Sequence, residues 1–415
     1  MNSSQYNSKR KILNDPIYGF ITIPNELIFD LIEHPYFQRL RRISQLGLTN
    51  LVYSGANHTR FQHALGAMYL MGKAIDILRQ KGHDITEDEA LGVTIAILLH
   101  DIGHGPFSHT LEHTIVPGVS HEALSLLFMD RLNKEFDGKL DTAIQIFKNE
   151  HPKKYLNQLV SSQLDIDRLD YLRRDSFFTG VTEGIVGSDR IIKMMNIYQD
   201  NLVIEAKGIY SIEKFLVARR LMYWQVYLHK TVLSAENVLM RILGRARELA
   251  LGGKKLICSD ALRVFLYGKV TQNDFKEQKD LLDSFAQLDD YDVLGAIKQW
   301  QNNDDFVLSN LSRRLVNRNL LKIKLQKEGF DSNEISQKID EVASKNGITK
   351  DEANYFAFSK SIDNMAYTND KFGINLLYKD GSVKDITEAA DLLNISALAE
   401  PVTKFFFCYP EGNII

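Results

Sequence analysis

The sequence predicts a mainly α protein with a smaller α+β unit at its C-terminal end. Three observations predict it. Apolar residues recur at helical spacing from Asn25 to about residue 317. Beyond that point short β-branched and aromatic runs alternate with two capped helical stretches. Within the helical part, eight of the 11 histidines fall between His58 and His121, where an even spread would put about two, so one site is expected there.

Residues 1–10 are polar and read as a frayed end. "KILNDPIYGFITIP" reads as a short extended segment that turns at Asn14-Asp15-Pro16, because these residues favour turns. From Asn25, Leu27, Ile28, Leu31 and Ile32 keep helical spacing. Further helices are expected at about 60–81, 87–101, 121–135, 140–148, 153–159 and 164–174. "NLVIEAKGIYS" reads as a hairpin near residues 200–210, turning at Lys207-Gly208. One long helix is expected from about Ile212 to Ala250, with more helices over 259–317. The rest reads strand, helix, strand, strand, helix, strand, which is the ferredoxin-like order. These readings divide the chain near 315, into a helical core over 1–315 and an α+β unit over 316–415.

Composition excludes several classes. The two cysteines, Cys258 and Cys408, match no metal spacing and no disulfide framework, so a reducing, cytoplasmic location is expected. The N-terminus lacks the apolar centre of a signal peptide, and no run of 18 apolar residues exists, so no membrane partner is expected. A net charge of −3 does not predict nucleic-acid binding, so any phosphate contact must come from a local basic cluster.

The histidines point to a metal. His63 lies early in "RFQHALGAMYLMGKA", beside the small residues Ala64, Gly66 and Ala67. His100 and Asp101 end the apolar helix "ALGVTIAILLHD", so both can serve one ion from the helix edge. "QLDIDRLDYLRRD" offers Asp165, Asp167, Asp170 and Asp175, of which Asp167 and Asp170 share a face. Two imidazoles with two carboxylates suit one divalent ion (Zn, Mn, Fe, Ni or Mg) and do not choose among them.

"YFQRLRRISQLG", "HTRFQHALGAMYL", "LLHDIGHGPFSH" and "DIDRLDYLRRD" resemble, in this order, the HD-domain metal-dependent phosphohydrolases and, within them, the dNTP triphosphohydrolase branch. Some members carry a leading SAM domain, and none is expected here. The resemblance covers roughly residues 11–250. It implies metal ligands His63, His100, Asp101 and Asp167. It also implies cleavage of a deoxynucleoside triphosphate at the α-phosphorus, giving deoxynucleoside and inorganic triphosphate.

Around that metal, His104, His109, Glu112 and His121 are the groups available for proton transfer, work that suits histidine. The resemblance pairs Glu112 with His121 to handle water and makes His109 the general acid. Arg60 shares a helix face with His63, and Arg219, Tyr223, Tyr227 and Lys230 fall on one stripe of the long helix. By resemblance Arg168 and Arg219 contact phosphates, Tyr171 and Asp175 meet the sugar end, Tyr227 packs against the deoxyribose, and Gln45 and Leu46 meet the 3′-hydroxyl. Lys11, Asn14, Glu33, Gln38 and Arg41 match a dNTP or GTP effector site between subunits of a homotetramer or dimer, or are partners on a helix surface. Two rival readings remain: an HD phosphohydrolase acting on a monophosphate or cyclic dinucleotide, and a nucleotide-sensing or nucleic-acid-binding protein with little turnover.

Overall fold

The computed structural model describes residues 11–107, 114, 116, 118–364, 373–390 and 402–413. The expected N-terminal turn forms. Strand β1 (Ile12–Asp15) pairs antiparallel with β2 (Gly19–Thr22). The Asp15 carboxylate closes the turn by accepting from the Ile17 and Tyr18 N–H groups at 2.9 and 3.0 Å. Helix α1 (Glu26–Glu33) follows, started by Asn25, whose side chain accepts from the Ile28 N–H.

The helical core is built around α3 (Glu87–Leu99). Its residues from Gly92 to Leu99 are all buried, as in a helix packed on every side. Helices α2 (Arg60–Gln80), α5 (Asp141–Phe147) and α6 (Lys154–Val160) pack against it. Capping boxes start α2 at Thr59/Gln62 and α3 at Thr86/Glu89, satisfying the first free N–H groups. Helix α4 (His121–Glu135) starts at Ser120, and α7 (Ile166–Thr179) starts at Asp165 and lies along α2.

Two glycines allow the close approaches that build the site. A Cβ at Gly66 on α2 would lie 2.1 Å from the Asp170 Oδ1 and Arg174 Nη2 atoms of α7. A Cβ at Gly103, in the turn after α3, would lie 2.2 Å from the His121 carbonyl oxygen and 2.3 Å from the Ser125 nitrogen.

The next segment departs from expectation twice. After α8 (Ser188–Met194), the hairpin is β3 (Met195–Tyr198) with β4 (Asn201–Glu205). It turns at Gln199-Asp200, both at positive φ, and Lys207-Gly208 instead forms a short 3-10 turn. The long helix is broken. Helix α9 (Ile209–Met222) widens into a single π turn over Tyr223–Tyr227. The chain then leaves helical geometry, with His229 at ψ 131° capping α10 (Lys230–Leu251) by accepting from the Thr231 N–H. Helices α11 (Asp260–Tyr267), α12 (Lys279–Gln287), α13 (Asp290–Trp300) and α14 (Phe306–Val316) complete the helical series, with α14 against α10. Among the described residues no helix is long and apolar enough to cross a membrane.

The C-terminal region is α+β, as expected, but its strands do not share one ferredoxin-like sheet. β5 (Lys322–Gln326) precedes α15 (Ser332–Asn346), which Gly347 ends at φ 61°. β9 (Val402–Tyr409) lies between β5 and β6 (Phe358–Asn364), antiparallel to both. With both edges of β9 occupied, β7 (Asn375–Leu377) pairs elsewhere, parallel to β4, and carries β8 (Val383–Asp385) with it. This buries Leu376 completely and covers an edge of the β3–β4 hairpin.

Gly103→Ala tests the close packing of the turn on α4. The atoms it would meet are backbone, so the variant should lose about 1–3 kcal/mol of stability or more, read as a lowered midpoint in urea denaturation.

Candidate active site

Three separate helices deliver four side chains to one point. His63 comes from the first turn of α2, His100 and Asp101 from the end of α3, and Asp167 from the first turn of α7. The His63 and His100 Nε2 atoms are 3.4 Å apart. Asp167 Oδ1 lies 3.0 Å from His63 Nε2 and 3.4 Å from His100 Nε2, and Asp101 Oδ1 lies 3.3 Å from His100 Nε2. His63, His100 and Asp101 offer ligand atoms all within 4.8 Å of one another.

These separations fit a shared cation. Atoms bound to one ion at about 2.1 Å stand about 3.0 Å apart on an octahedron and about 3.4 Å on a tetrahedron. The tautomers fit as well. His63 Nδ1 is 2.8 Å from the Asp170 carboxylate, and His100 Nδ1 is 2.6 Å from the Ile97 carbonyl oxygen. Both partners are acceptors, so each Nδ1 carries the proton and each Nε2 presents a lone pair to the shared point.

The electrostatics agree. Burial alone would lower the His63 pKa, but hydrogen bonds to Asp167 and Asp170 overcome it and raise the value to about 10. Burial likewise opposes ionisation of Asp167, yet His100 and His63 hold its carboxyl well below the usual range. Asp101 is held low by His100, His104 and Arg60, against the same opposing burial. The cluster therefore favours added positive charge.

A buried chain of pairs stiffens this point from behind. Asp170 also binds Arg174, Nε to Oδ2 at 2.8 Å, and Arg174 Nη1 reaches Asp15 at 2.8 Å. Burial opposes ionisation of Asp170, but Arg174 and His63 outweigh it and hold the carboxyl at about 2. The N-terminal hairpin is thus connected to His63 through Asp15, Arg174 and Asp170. The i, i+4 spacing of Asp170 and Arg174 is legible in the sequence, whereas the Asp15 link is not.

A scan against family models matches an HD domain over residues 60–175 and an HD associated region over 186–260. The chain is 32% identical to an uncharacterised Bacillus subtilis protein, YwfO, over 98% of this chain and 94% of that one. It is 29% identical to the human deoxynucleoside triphosphate triphosphohydrolase SAMHD1, over 64% of this chain and 50% of that protein. The Dictyostelium discoideum homologue of SAMHD1 is 32% identical over 57% of this chain and 49% of its own length. The chain thus spans about half the length of these two triphosphohydrolases. A crystal structure of a phosphohydrolase from Bacteroides thetaiotaomicron superposes with a TM-score of 0.94 at 55% identity, over 97% of this chain and all of that one.

The chain belongs to the HD-domain phosphohydrolase family. HD domains bind divalent metal ions, and this HD domain brings its histidines and aspartates together as that requires.

A cleft of about 290 Å³ opens beside the cluster. Its lining includes Ser44, Gln45, Leu46, Arg60, Phe107, Tyr223, Tyr227, Leu228 and Glu236. Arg60 Nη1 donates to Asp101 at 2.5 Å, which places it at the metal end. Tyr171 stands 6.4 Å from His63, ring to ring; burial raises its hydroxyl pKa, and the charges of Arg168 and Arg219 oppose that rise. Arg168 pairs with Asp165, and Arg219 donates to Gln163 at 3.2 Å. His104 lies 3.2 Å from Asp101 and stacks on His121 at 3.9 Å. His109 and Glu112 lie outside the described residues.

Other expected positions fall differently. Asp175 stands behind Tyr227, with one oxygen 2.7 Å from His58 Nε2 and the other accepting the Tyr227 hydroxyl at 2.7 Å. The single stripe through Lys230 is corrected by the break at Leu228-His229, which leaves Lys230 exposed and outside the cleft lining. Gln38 accepts from Arg41 Nε and donates to the Ile32 carbonyl, Lys11 lies over the Phe29 ring, and Asn14 and Glu33 sit in β1 and at the end of α1.

Two anchors had no signal in the sequence. Asp290 accepts from the Ser44 N–H at 2.8 Å and the Phe107 N–H at 3.2 Å, tying two parts of the cleft lining together. Phe107 sits at φ 49°, a conformation rare for its type. Buried Arg39 donates to the Ile102 carbonyl at 2.7 Å and the Leu288 carbonyl at 3.3 Å, holding the turn after α3.

Asp170→Asn keeps every metal ligand and replaces the carboxylate behind His63 by a neutral amide, a weaker acceptor for orienting its ring. It should weaken divalent-metal affinity by about 10- to 100-fold, measured by calorimetric titration with Mn²⁺. Wild-type affinity in this variant would show that Asp170 does not orient the ligand.

Proposed function

We propose that this protein hydrolyses deoxynucleoside triphosphates at the α-phosphorus, releasing deoxynucleoside and inorganic triphosphate. One observation carries the reading. Around the cluster, the buried atoms Arg168 Nε, Arg219 Nε, His104 Nδ1 and Gln45 Oε1 have no hydrogen-bond partner among the described residues. Such atoms are costly to leave unpaired, and two cationic donors with two neutral acceptors match a phosphate tail, an attacking water and a sugar hydroxyl.

His63, His100, Asp101 and Asp167 would hold the ion; Zn, Mn, Fe, Ni and Mg remain candidates. Bound there, it supplies Lewis-acid polarisation of an α-phosphate oxygen. Arg60, Arg168 and Arg219 neutralise the phosphates. Burial, then Arg60, pushes His104 well below the usual histidine range, so it is neutral. Its Nε2–H donates to Asp101, which leaves the Nδ1 lone pair to accept a proton from the attacking water. His121, stacked on it, orients that water with Glu112, and His109 protonates the leaving 5′-oxygen. Gln45 accepts from the sugar 3′-hydroxyl. Tyr227, fixed by Asp175, closes the space beside C2′ and so disfavours ribonucleotides.

The reading includes a cytoplasmic homo-oligomer with an effector dNTP at Lys11, Asn14, Glu33, Gln38 and Arg41. The Asp15–Arg174–Asp170 chain supports it, since it joins the effector's hairpin to His63. It also takes residues 1–315 as the catalytic unit and 316–415 as the α+β unit.

Incubation with each dNTP and Mn²⁺ or Mg²⁺, with products resolved by ion exchange, should give triphosphate and deoxynucleoside. Orthophosphate or a nucleoside monophosphate as product would overturn the reading. Asp167→Ala should lower turnover at least about 1,000-fold with an unchanged circular dichroism spectrum. Added dGTP should raise the turnover of a second dNTP, and identical progress curves would dispose of the effector.

A further inference from the structure

The cleft has a charged group that the chemistry at the metal does not use. Glu236 projects from α10 into the lining of the same cleft as Arg60, Gln45 and Tyr227. Its Oε1 would stand 3.8 Å from a Cβ built on Gly47, which would also lie 3.9 Å from the Phe107 ring, and Leu46 and Leu228 line the cleft with them. Among the described residues it has neither a hydrogen-bond nor an ion-pair partner. Burial is the one influence on its carboxyl and raises it to about 7. A carboxyl between leucines and a phenylalanine, facing a cavity, is costly until a donor meets it.

We infer that Glu236 reads the nucleobase and that the cleft prefers guanine. This rests on the dNTP reading above, and it adds which base that site takes. With the phosphates assigned to Arg60 and the sugar to Gln45 and Tyr227, the lining residues left for the base include Leu46, Gly47, Phe107 and Glu236. A carboxylate accepts two parallel hydrogen bonds. The guanine edge offers two adjacent donors, N1–H and the 2-amino group, in the fork arrangement that makes arginine–carboxylate pairs strong. Adenine and cytosine offer one amino donor beside a ring-nitrogen acceptor. Thymine offers one N–H between two carbonyl oxygens, both of which repel a carboxylate. The expected order is guanine, then adenine and cytosine, then thymine.

The test has two arms. In the first, kcat/KM is measured for the four dNTPs with wild type, Glu236→Gln and Glu236→Leu. The dGTP-to-dTTP ratio should exceed one in wild type and fall about tenfold or more in both variants. In the second, calorimetry measures deoxyguanosine and thymidine binding to the same proteins, which needs neither turnover nor a triphosphate. Wild type should bind deoxyguanosine more tightly, and the variants should lose that margin. If dNTPs are cleaved to triphosphate but the ratio is unchanged, base reading by Glu236 fails while the hydrolysis stands. If no dNTP is cleaved but the deoxyguanosine margin is present and depends on Glu236, the base reading stands and the proposed reaction fails. Absence of both cleavage and deoxynucleoside binding overturns both.

Discussion

The Nε2 atoms of His63 and His100 meet the carboxylates of Asp101 and Asp167 at 3.0–3.4 Å, in a place largely closed to water. Bringing such groups together costs several kcal/mol for each unpaired charge, so the surroundings must hold them. The Ile97 carbonyl and the Asp170 carboxylate fix the outer nitrogens of the two imidazoles. Arg174 and Asp15 then neutralise Asp170 in turn. The result is a rigid set of lone pairs and negative charge facing one point, which is what a divalent ion requires.

The same constraint explains the glycines. Gly66 leaves room on α2 for the Asp170–Arg174 pair, and Gly103 lets the turn carrying Asp101 rest on α4. The second of these approaches also stacks His104 on His121. The metal point and the His104–His121 stack are therefore set by helix-to-helix distances. The wall of the cleft is built differently. A π turn at Tyr223–Tyr227 and a break at Leu228-His229 turn two tyrosines toward the cavity, a local departure from helical geometry of the kind found at functional sites. Asp290 and Arg39 then pin the loops on the other sides.

The C-terminal strands show how pairing depends on available edges. β9 buries Phe406, Phe407 and Cys408 between two neighbours, and β7 finds its partner in β4. One piece of the α+β region is thereby joined to the hairpin that precedes α9.

Most helices, and His63, His100 and Asp101 as candidate ligands, were legible in the sequence from local spacing, whereas the choice of Asp167 among four aspartates came from the resemblance to the HD-domain phosphohydrolases. His100-Asp101 at a helix end is a short-range pattern whose physics acts within a turn or two. Asp290 lies 183 residues from Phe107, and Asp15 lies 159 from Arg174. No spacing rule spans such distances. Nor did "FLVARRLMYWQVYLHK" reveal its break, since it contains no glycine or proline and the His229 cap competes with continued helix only once packing fixes the chain. The order of the C-terminal elements suggested one sheet; which edges were free was decided by burial of distant apolar residues. Local spacing thus narrowed the candidates for the metal site, and tertiary packing decided which of them meet, because only the folded chain sets the distances between charges that burial makes costly to leave alone.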